Sequence, residues 1–246
     1  MTEPHTSQSS QDIRDWNRIA HVYMRTAGTP EDHIYQQFKA VLWESLGELR
    51  GLDVLDVGCG HGWLSQLMLE AGARVCSVDG SQTLLETARS RHPGIEFTQF
   101  DLARGLPHFD REFDRIVANM VMMDIPDIGP LVAAIRRVMK PQARFMFTLP
   151  HPCFFNYKTR RDESGHWYRM VTGYLKPEVW RIGSYDGHNH YHRSLTYYFD
   201  HLRRNRLAVT RLFEPTHIPK SSDDEAWESF LKTIPVFLFF EAAPLV

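Results

Sequence analysis

The chain has 246 residues, 43% of them hydrophobic and 24% charged, a composition typical of globular rather than disordered or fibrous proteins. Its 28 lysines and arginines against 30 aspartates and glutamates lack the basic excess typical of proteins that bind a nucleic-acid backbone. No apolar run approaches the ~18 residues of a membrane-spanning helix, and residues 1–11 lack the pattern of a secretory signal. Because the three cysteines include no CxxC pair, we expect free thiols and a cytoplasmic protein.

The first fifty residues predict a tail followed by two helices. Residues 1–11 are polar and are predicted to be disordered. Apolar residues at helical spacing predict helices over 12–24 and 31–49, separated by the helix-breaking segment Ala27-Gly28-Thr29-Pro30. We expect residues 12–50 to form a helical cover on the domain that follows.

From residue 51 to residue 150, short apolar runs alternate with helical stretches. This alternation predicts parallel strands joined by helices that cover both faces of one sheet. The predicted strands are 53–57, 74–78, 95–100, 113–119 and 144–149, and the predicted helices are 63–71, 82–92 and 128–139.

After Pro150 the alternation stops for some forty residues rich in His, Tyr, Trp, Arg and Gly. We interpret residues 151–193 as a cap inserted after the fifth strand, and not as a second domain. Regular patterns return in residues 194–246, which predict a helix at 194–204 and strands at 207–213 and 236–241. The prediction is one domain over residues 12–246.

The sharpest motif joins the first predicted strand to its helix. Gly58, Gly60 and Gly62 alternate there, and glycine suits positions of positive φ or of close ligand approach. The next helix offers unpaired backbone N–H groups at its N-terminus. A dinucleotide fingerprint needs a small residue where Trp63 stands, and the upstream Asp56 suits a cationic amine better than a pyrophosphate. The alternative is a tight turn that binds nothing.

Polar side chains end the next three predicted strands. Asp79, Asp101 and Asn119 follow the second, third and fourth strands in turn. Because the carboxyl ends of parallel strands meet at one edge, these side chains are expected to converge on the crevice where open sheets bind ligands. An acid at the position of Asp79 is the one that accepts hydrogen bonds from ribose hydroxyls.

These motifs resemble those of class I S-adenosylmethionine-dependent methyltransferases. The resemblance is carried by VLDVGCGHG, by FDLA around Asp101 and by FDRIVANMVMMDIPD, and it is strong over residues 51–150. HPCFF and HRSLTYYFDHL are similar to a bacterial subgroup that acts on small molecules. The resemblance implies an α/β, Rossmann-like, seven-stranded, mostly parallel sheet and the cofactor S-adenosylmethionine. The family's common Lys-Pro-Gly-Gly turn is replaced here by Lys140-Pro141-Gln142-Ala143.

The same resemblance implies roles for individual residues. The glycine turn would cradle the methionine part of the cofactor, with Asp56 on its amino group. Asp79 would bind the ribose, Asp101 the adenine side, and the backbone of Asn119 would lie near the sulfonium. Tyr23 and Arg25 are expected to close over the cofactor, with core packing as the alternative for Tyr23. The predicted cofactor-binding set also contains Gly58, Cys59, Gly60, Gly62, Gly80, Ser81 and Leu102.

Three residues are predicted to act on the methyl acceptor. His151 directly follows the fifth strand and is the best candidate base, although it could equally shape the turn. In His188-Asn189-His190-Tyr191-His192 an extended chain would point all three imidazoles to one face. We choose His192 as a catalytic candidate and predict no metal, with a metal site and polar packing as alternatives. Asp124 is either an acceptor ligand or a helix cap.

The predicted function is methyl transfer to an oxygen or nitrogen of a small organic molecule by in-line displacement. The alternatives are a tRNA methyltransferase, a nicotinamide dehydrogenase and a non-catalytic cofactor-binding protein. The net charge of −2 disfavours the first, and Trp63 disfavours the second. We expect no nucleic-acid or membrane partner, and a monomer or homodimer.

Overall fold

The computed structural model describes residues 3–30, 32–183, 185, 187–218 and 225–245, with side chains from Ser7 onward. Its helices are α1 (Glu3–Tyr23), α2 (His33–Leu46), α3 (Trp63–Glu70), α4 (Gln82–Arg91), α5 (Gly129–Val138), α6 (Leu195–Arg204) and α7 (Glu225–Leu231), with short 3-10 turns at Leu102–Arg104 and Met122–Asp124. Its strands are β1 (Asp53–Val57), β2 (Arg74–Asp79), β3 (Glu96–Gln99), β4 (Phe113–Asn119), β5 (Met139–Pro150), β6 (Thr159–Arg161), β7 (Trp167–Arg169), β8 (Glu178–Ile182), β9 (His188–His192), β10 (Leu207–Phe213) and β11 (Phe237–Pro244).

Seven of the strands form one sheet in the order β10-β11-β5-β4-β1-β2-β3. The strands from β3 to β5 pair in parallel, whereas β11 runs antiparallel to both of its neighbours. The predicted α/β fold with a seven-stranded, mostly parallel sheet is therefore confirmed. Strand order changes direction at β1, which lies between β2 and β4, and the carboxyl end of such a point is where open sheets bind ligands.

Each face of the sheet carries an apolar cluster, because successive side chains of a strand point to opposite faces. In β1, Val54 packs with residues of α2, α3 and α4, whereas Leu55 and Val57 pack with residues of α5 and α6. Phe147 of β5 stacks on Phe240 of β11, with ring centroids 4.7 Å apart. Helices thus cover both faces, as predicted.

The N-terminal segment differs from the sequence-based expectation. The prediction of a disordered tail over residues 1–11 is wrong from Glu3 onward, where α1 begins, and residues 1 and 2 lie outside the described part. Ser9 and Asp12 are buried and hydrogen-bonded to distant segments. This segment is held by polar contacts, so it lacks the apolar residues at helical spacing that predict a helix. Its polar composition therefore suggested disorder.

The region after β5 contains more regular structure than its sequence suggested. Two antiparallel hairpins, β6–β7 and β8–β9, lie within residues 151–193. Helix α7 was also not predicted from the sequence. None of the described helices combines the length and the apolar character needed to cross a bilayer.

Candidate active site

A cavity of about 390 Å³ opens at the carboxyl ends of β1, β2 and β4. Helix α1 and strand β9 of the cap contribute the opposite walls, through side chains such as Trp16 and His188. This volume lies in the range of small-molecule sites, ~300–1,000 Å³. The cavity therefore joins the predicted cofactor region to the cap.

The glycine turn forms one wall of this cavity. Gly58, Gly60 and Gly62 have φ angles of 71°, 55° and 80°, in the left-handed region that favours glycine. A Cβ atom at Gly58 would overlap the side chain of Val121, and one at Gly60 would lie 3.3 Å from the ring of Tyr23. The positive φ angles that the spacing predicted are thus present, and Gly58 and Gly60 line the cavity beside Val121 and Tyr23 in this glycine cradle.

Asp79 ties this cradle to the turn that follows β2. Its Oδ2 accepts a hydrogen bond from the backbone N–H of Gly60, and its Oδ1 accepts one from Ser81, both at 2.8 Å. Burial raises the pKa of this carboxyl, and the two backbone N–H groups oppose that effect. Each oxygen keeps a second lone pair for a ligand hydroxyl. Asp79, Gly80 and Ser81 all line the cavity.

The two remaining strand-end side chains also reach the cavity wall. Asp101 accepts hydrogen bonds from the backbone of Ala103 at 3.0 Å and from the hydroxyl of Ser9 in α1. The amide oxygen of Asn119 accepts a hydrogen bond from Thr148 of β5 at 2.8 Å. Asn119 lines the cavity as well.

Several predicted cofactor ligands lie outside the wall. Asp56 is buried between β1 and α3, where it accepts a 2.6 Å hydrogen bond from the Ser65 hydroxyl. Burial raises the pKa of Asp56 to about 7. Arg25, Cys59 and Gly62 do not line the cavity either, whereas the predicted Tyr23 and Leu102 do.

The two predicted catalytic histidines His151 and His192 are also outside the cavity wall. His151 accepts a hydrogen bond from the backbone of Cys153, and its Nε2 lies 2.8 Å from Glu214. His192 stacks on Trp180 with ring centroids 4.5 Å apart. These contacts fit the alternative roles in turn shaping and cap packing, and they hold both rings away from the cavity.

The third predicted catalytic residue, Asp124, does line the cavity, and it faces a histidine that the sequence did not single out. The Nε2 of His188 lies 3.9 Å from the Oδ1 of Asp124. Burial raises the pKa of Asp124 well above its usual range, and the negative charge of Asp12 adds to this effect. His190 also lines the cavity, and burial lowers its pKa to about 3.

The histidines of β9 alternate on one buried face, as the extended pattern predicted. Within the described ranges, no three His, Cys, Asp or Glu side chains are grouped closely enough to hold a metal ion. His190 and His192 instead stack on Trp180. His188 and His190 line the cavity and His192 does not, a difference that the alternating sequence pattern does not contain.

A family model described as a methyltransferase domain matches residues 54–142. Malonyl-[acyl-carrier protein] O-methyltransferase of Pseudescherichia vulneris is 31% identical over 132 residues, which are 53% of this chain and 52% of that protein. Demethylmenaquinone methyltransferase of Tropheryma whipplei (strain Twist) is 27% identical over 183 residues, 74% of each chain. The chain thus spans about half the length of the first relative and about three quarters of the second.

A crystal structure of an S-adenosylmethionine-dependent methyltransferase from Mesorhizobium loti superposes with a TM-score of 0.71. The two chains are 24% identical, and the match covers 84% of this chain and 97% of that one, so it establishes the fold. The matched domain runs from β1 to the start of β5 and includes the glycine cradle and Asp79. Residues 54–142 are therefore a methyltransferase domain, and most of the chain has the fold of that S-adenosylmethionine-dependent methyltransferase.

Proposed function

We propose that this enzyme methylates an oxygen or a nitrogen of a small organic molecule that binds in the same cavity as the cofactor. The carrying observation is the continuity of the cavity, which extends from Gly60 and Asp79 at the sheet edge to Asp124 and His188 beneath the cap. A donor and an acceptor held in one such space can be aligned for in-line displacement, and alignment supplies up to roughly 7–11 kcal/mol of the barrier.

The residues at the sheet edge fit S-adenosylmethionine. Gly58 and Gly60 line the cavity, and Asp79 and Asp101 offer carboxylate oxygens to hydroxyl and amine groups. Gly60, Asp79, Ser81 and Asp101 would hold the cofactor. When bound, it supplies the methyl group: the acceptor atom bonds to the methyl carbon, the carbon–sulfur bond breaks with its electron pair left on sulfur, and the acceptor's proton leaves.

The other end of the cavity supports a small acceptor. Its walls are mainly apolar and include the aromatic side chains of Trp16, Phe155 and Tyr185. The relatives named above act, by their names, on malonyl-[acyl-carrier protein] and on demethylmenaquinone. A tRNA acceptor is less well supported, because no Lys or Arg of the described ranges lines this space.

Calorimetry with S-adenosylhomocysteine tests the cofactor half of the proposal. Saturable binding supports it, and no binding at millimolar ligand overturns it. Transfer of labelled methyl from S-adenosylmethionine to a panel of small alcohols and amines tests catalysis. Absence of transfer to every member, with cofactor binding intact, would favour the non-catalytic alternative. Light scattering tests the predicted monomer or homodimer.

A further inference from the structure

One carboxyl oxygen at the cavity has no hydrogen-bond partner in the part of the chain that the structure describes. Asp124 ends the 3-10 turn after β4, and its side chain is 7% exposed. Its Oδ1 is fully buried and has no hydrogen-bond partner among the described residues. Buried polar atoms in folded proteins are nearly always paired, so an unpaired one in a ligand cavity indicates a contact that the ligand completes.

The cap places an imidazole beside this oxygen. His188 comes from β9, and its ring packs on Trp16 of α1 with centroids 4.9 Å apart. The separation of 3.9 Å between His188 Nε2 and Asp124 Oδ1 is too long for a hydrogen bond between them. One ligand oxygen or nitrogen about 2.8 Å from both atoms would form an angle of about 90°. The gap therefore fits a single hydroxyl or amine.

The charges around the gap discriminate against anions. Asp12 and Asp124 line the cavity beside this gap, and no Lys or Arg of the described part lines the cavity. The guanidinium of Arg193 lies nearby but donates to the backbone carbonyls of Met122 and Ile125. A carboxylate or phosphate of the acceptor, if held at this gap, would thus be desolvated beside Asp12 and Asp124 without a paired cation, which is costly.

From these observations we propose that Asp124 and His188 bind the acceptor's reacting hydroxyl or amine, and that the acceptor is a ring compound without a carboxylate or phosphate group. This inference rests on the proposed function and specifies its substrate class. Trp16, Phe155 and Tyr185 supply flat apolar walls for the ring.

The pair also provides a destination for the acceptor's proton. His188 Nε2 accepts this proton as the acceptor atom bonds to the methyl carbon, and the carboxylate of Asp124 stabilises the imidazolium that forms. Asp124 ionises at less cost when a cation occupies the same cavity. Arg193 is a positioning residue, since its two hydrogen bonds hold the turn that carries Asp124.

The test compares 2-naphthol with 2-naphthoate, two probes that share a ring system and differ in charge. Calorimetry measures their affinities for the S-adenosylhomocysteine-loaded full chain. We expect naphthol to bind about tenfold more tightly, the ratio given by a hydrogen bond of about 1.4 kcal/mol. In Asp124→Asn, naphthol affinity falls by about tenfold and the preference disappears, because an amide can donate to a carboxylate.

A double-mutant cycle between Asp124→Asn and His188→Gln then tests whether the two side chains hold the same group. A loss of binding free energy in the double variant that is smaller than the sum of the two single losses supports a shared contact. A loss equal to that sum overturns it. Asp200→Asn, on the exposed surface of α6, is the matched control and should behave like the wild type. The affinity for S-adenosylhomocysteine should stay unchanged in all variants.

The outcomes separate the two proposals. If S-adenosylhomocysteine does not bind the wild type, the proposed function fails. If it binds, but naphthoate binds as tightly as naphthol or neither probe binds, only the acceptor inference is overturned. Persistence of the naphthol preference in the double variant also overturns it.

Discussion

Replacing Asp79 by asparagine should separate ligand binding from folding. The carboxylate takes two backbone hydrogen bonds of 2.8 Å, from Gly60 and Ser81, and it is predicted to accept the ribose hydroxyls as well. Asparagine has one acceptor oxygen, so its NH₂ group must face one of these donors. The variant therefore loses at least one hydrogen bond to a charged group, about 1.5–3 kcal/mol.

Expressed as affinity, this loss raises the Kd for S-adenosylhomocysteine by roughly 10- to 150-fold. The free energy of unfolding should fall by less, about 1 kcal/mol. Burial of the Asp79 carboxylate is costly, as its raised pKa shows, and the neutral amide avoids that cost. Calorimetry measures the first quantity and urea denaturation the second.

Asp114→Asn is the matched control for this experiment. Asp114 also accepts a backbone hydrogen bond, from Asp53 at 2.9 Å, but it lies at the opposite end of the sheet. Its replacement should leave ligand affinity unchanged. A folded Asp79→Asn protein that binds the ligand within about threefold of wild type would refute the reasoning, since a lost charged hydrogen bond costs more than that.

Three further predictions concern stability. Arg74 above all holds the pKa of Asp53 at about 2, so Asp53→Asn should lower the free energy of unfolding by about 1 kcal/mol at pH 7. Because the folded-state pKa is depressed, this contribution is present above pH ~4 and is lost as the pH falls towards 2. Denaturation curves of wild type and variant should therefore converge over that pH range. Gly58→Ala, at φ 71° and against Val121, should lower the free energy of unfolding by about 1–3 kcal/mol, and adding Val121→Ala should restore only the steric part. Phe147→Ala should cost about 3–5 kcal/mol by urea titration, and a loss under 1 kcal/mol would contradict its place in the core.

The sheet was predictable because its strands and helices carry local periodic signals. The run from Val54 to Val57 is apolar on both faces, which is typical of a buried parallel strand, and it forms β1 as expected. The α1 helix before Asp12 and the cap hairpins carry no such period. Val179 of β8, for example, is exposed, so apolar residues in this strand do not alternate with polar ones in the way that marks a half-buried strand.

The candidate site was predictable where it depends on one segment of chain. The glycine spacing fixed the cradle, and the end of β2 fixed Asp79, because both follow from local backbone geometry. The choice of His192 over His188 depended on which end of β9 meets the sheet edge. That is a question of tertiary packing, and alternation along a strand leaves it open.

One end of the cavity depends on local segments of the chain, and the other end depends on tertiary packing. The end that we propose for the cofactor is built from the carboxyl ends of strands, so its chemistry can be read along the chain. The acceptor end joins α1, the turn after β4 and β9, and Trp16, Asp124 and His188 become neighbours only in the fold. A change in any one of these segments would therefore alter this wall of the cavity and leave the glycine cradle intact. The acceptor is therefore best identified from the charge and shape of this wall, and here the wall favours an uncharged ring compound.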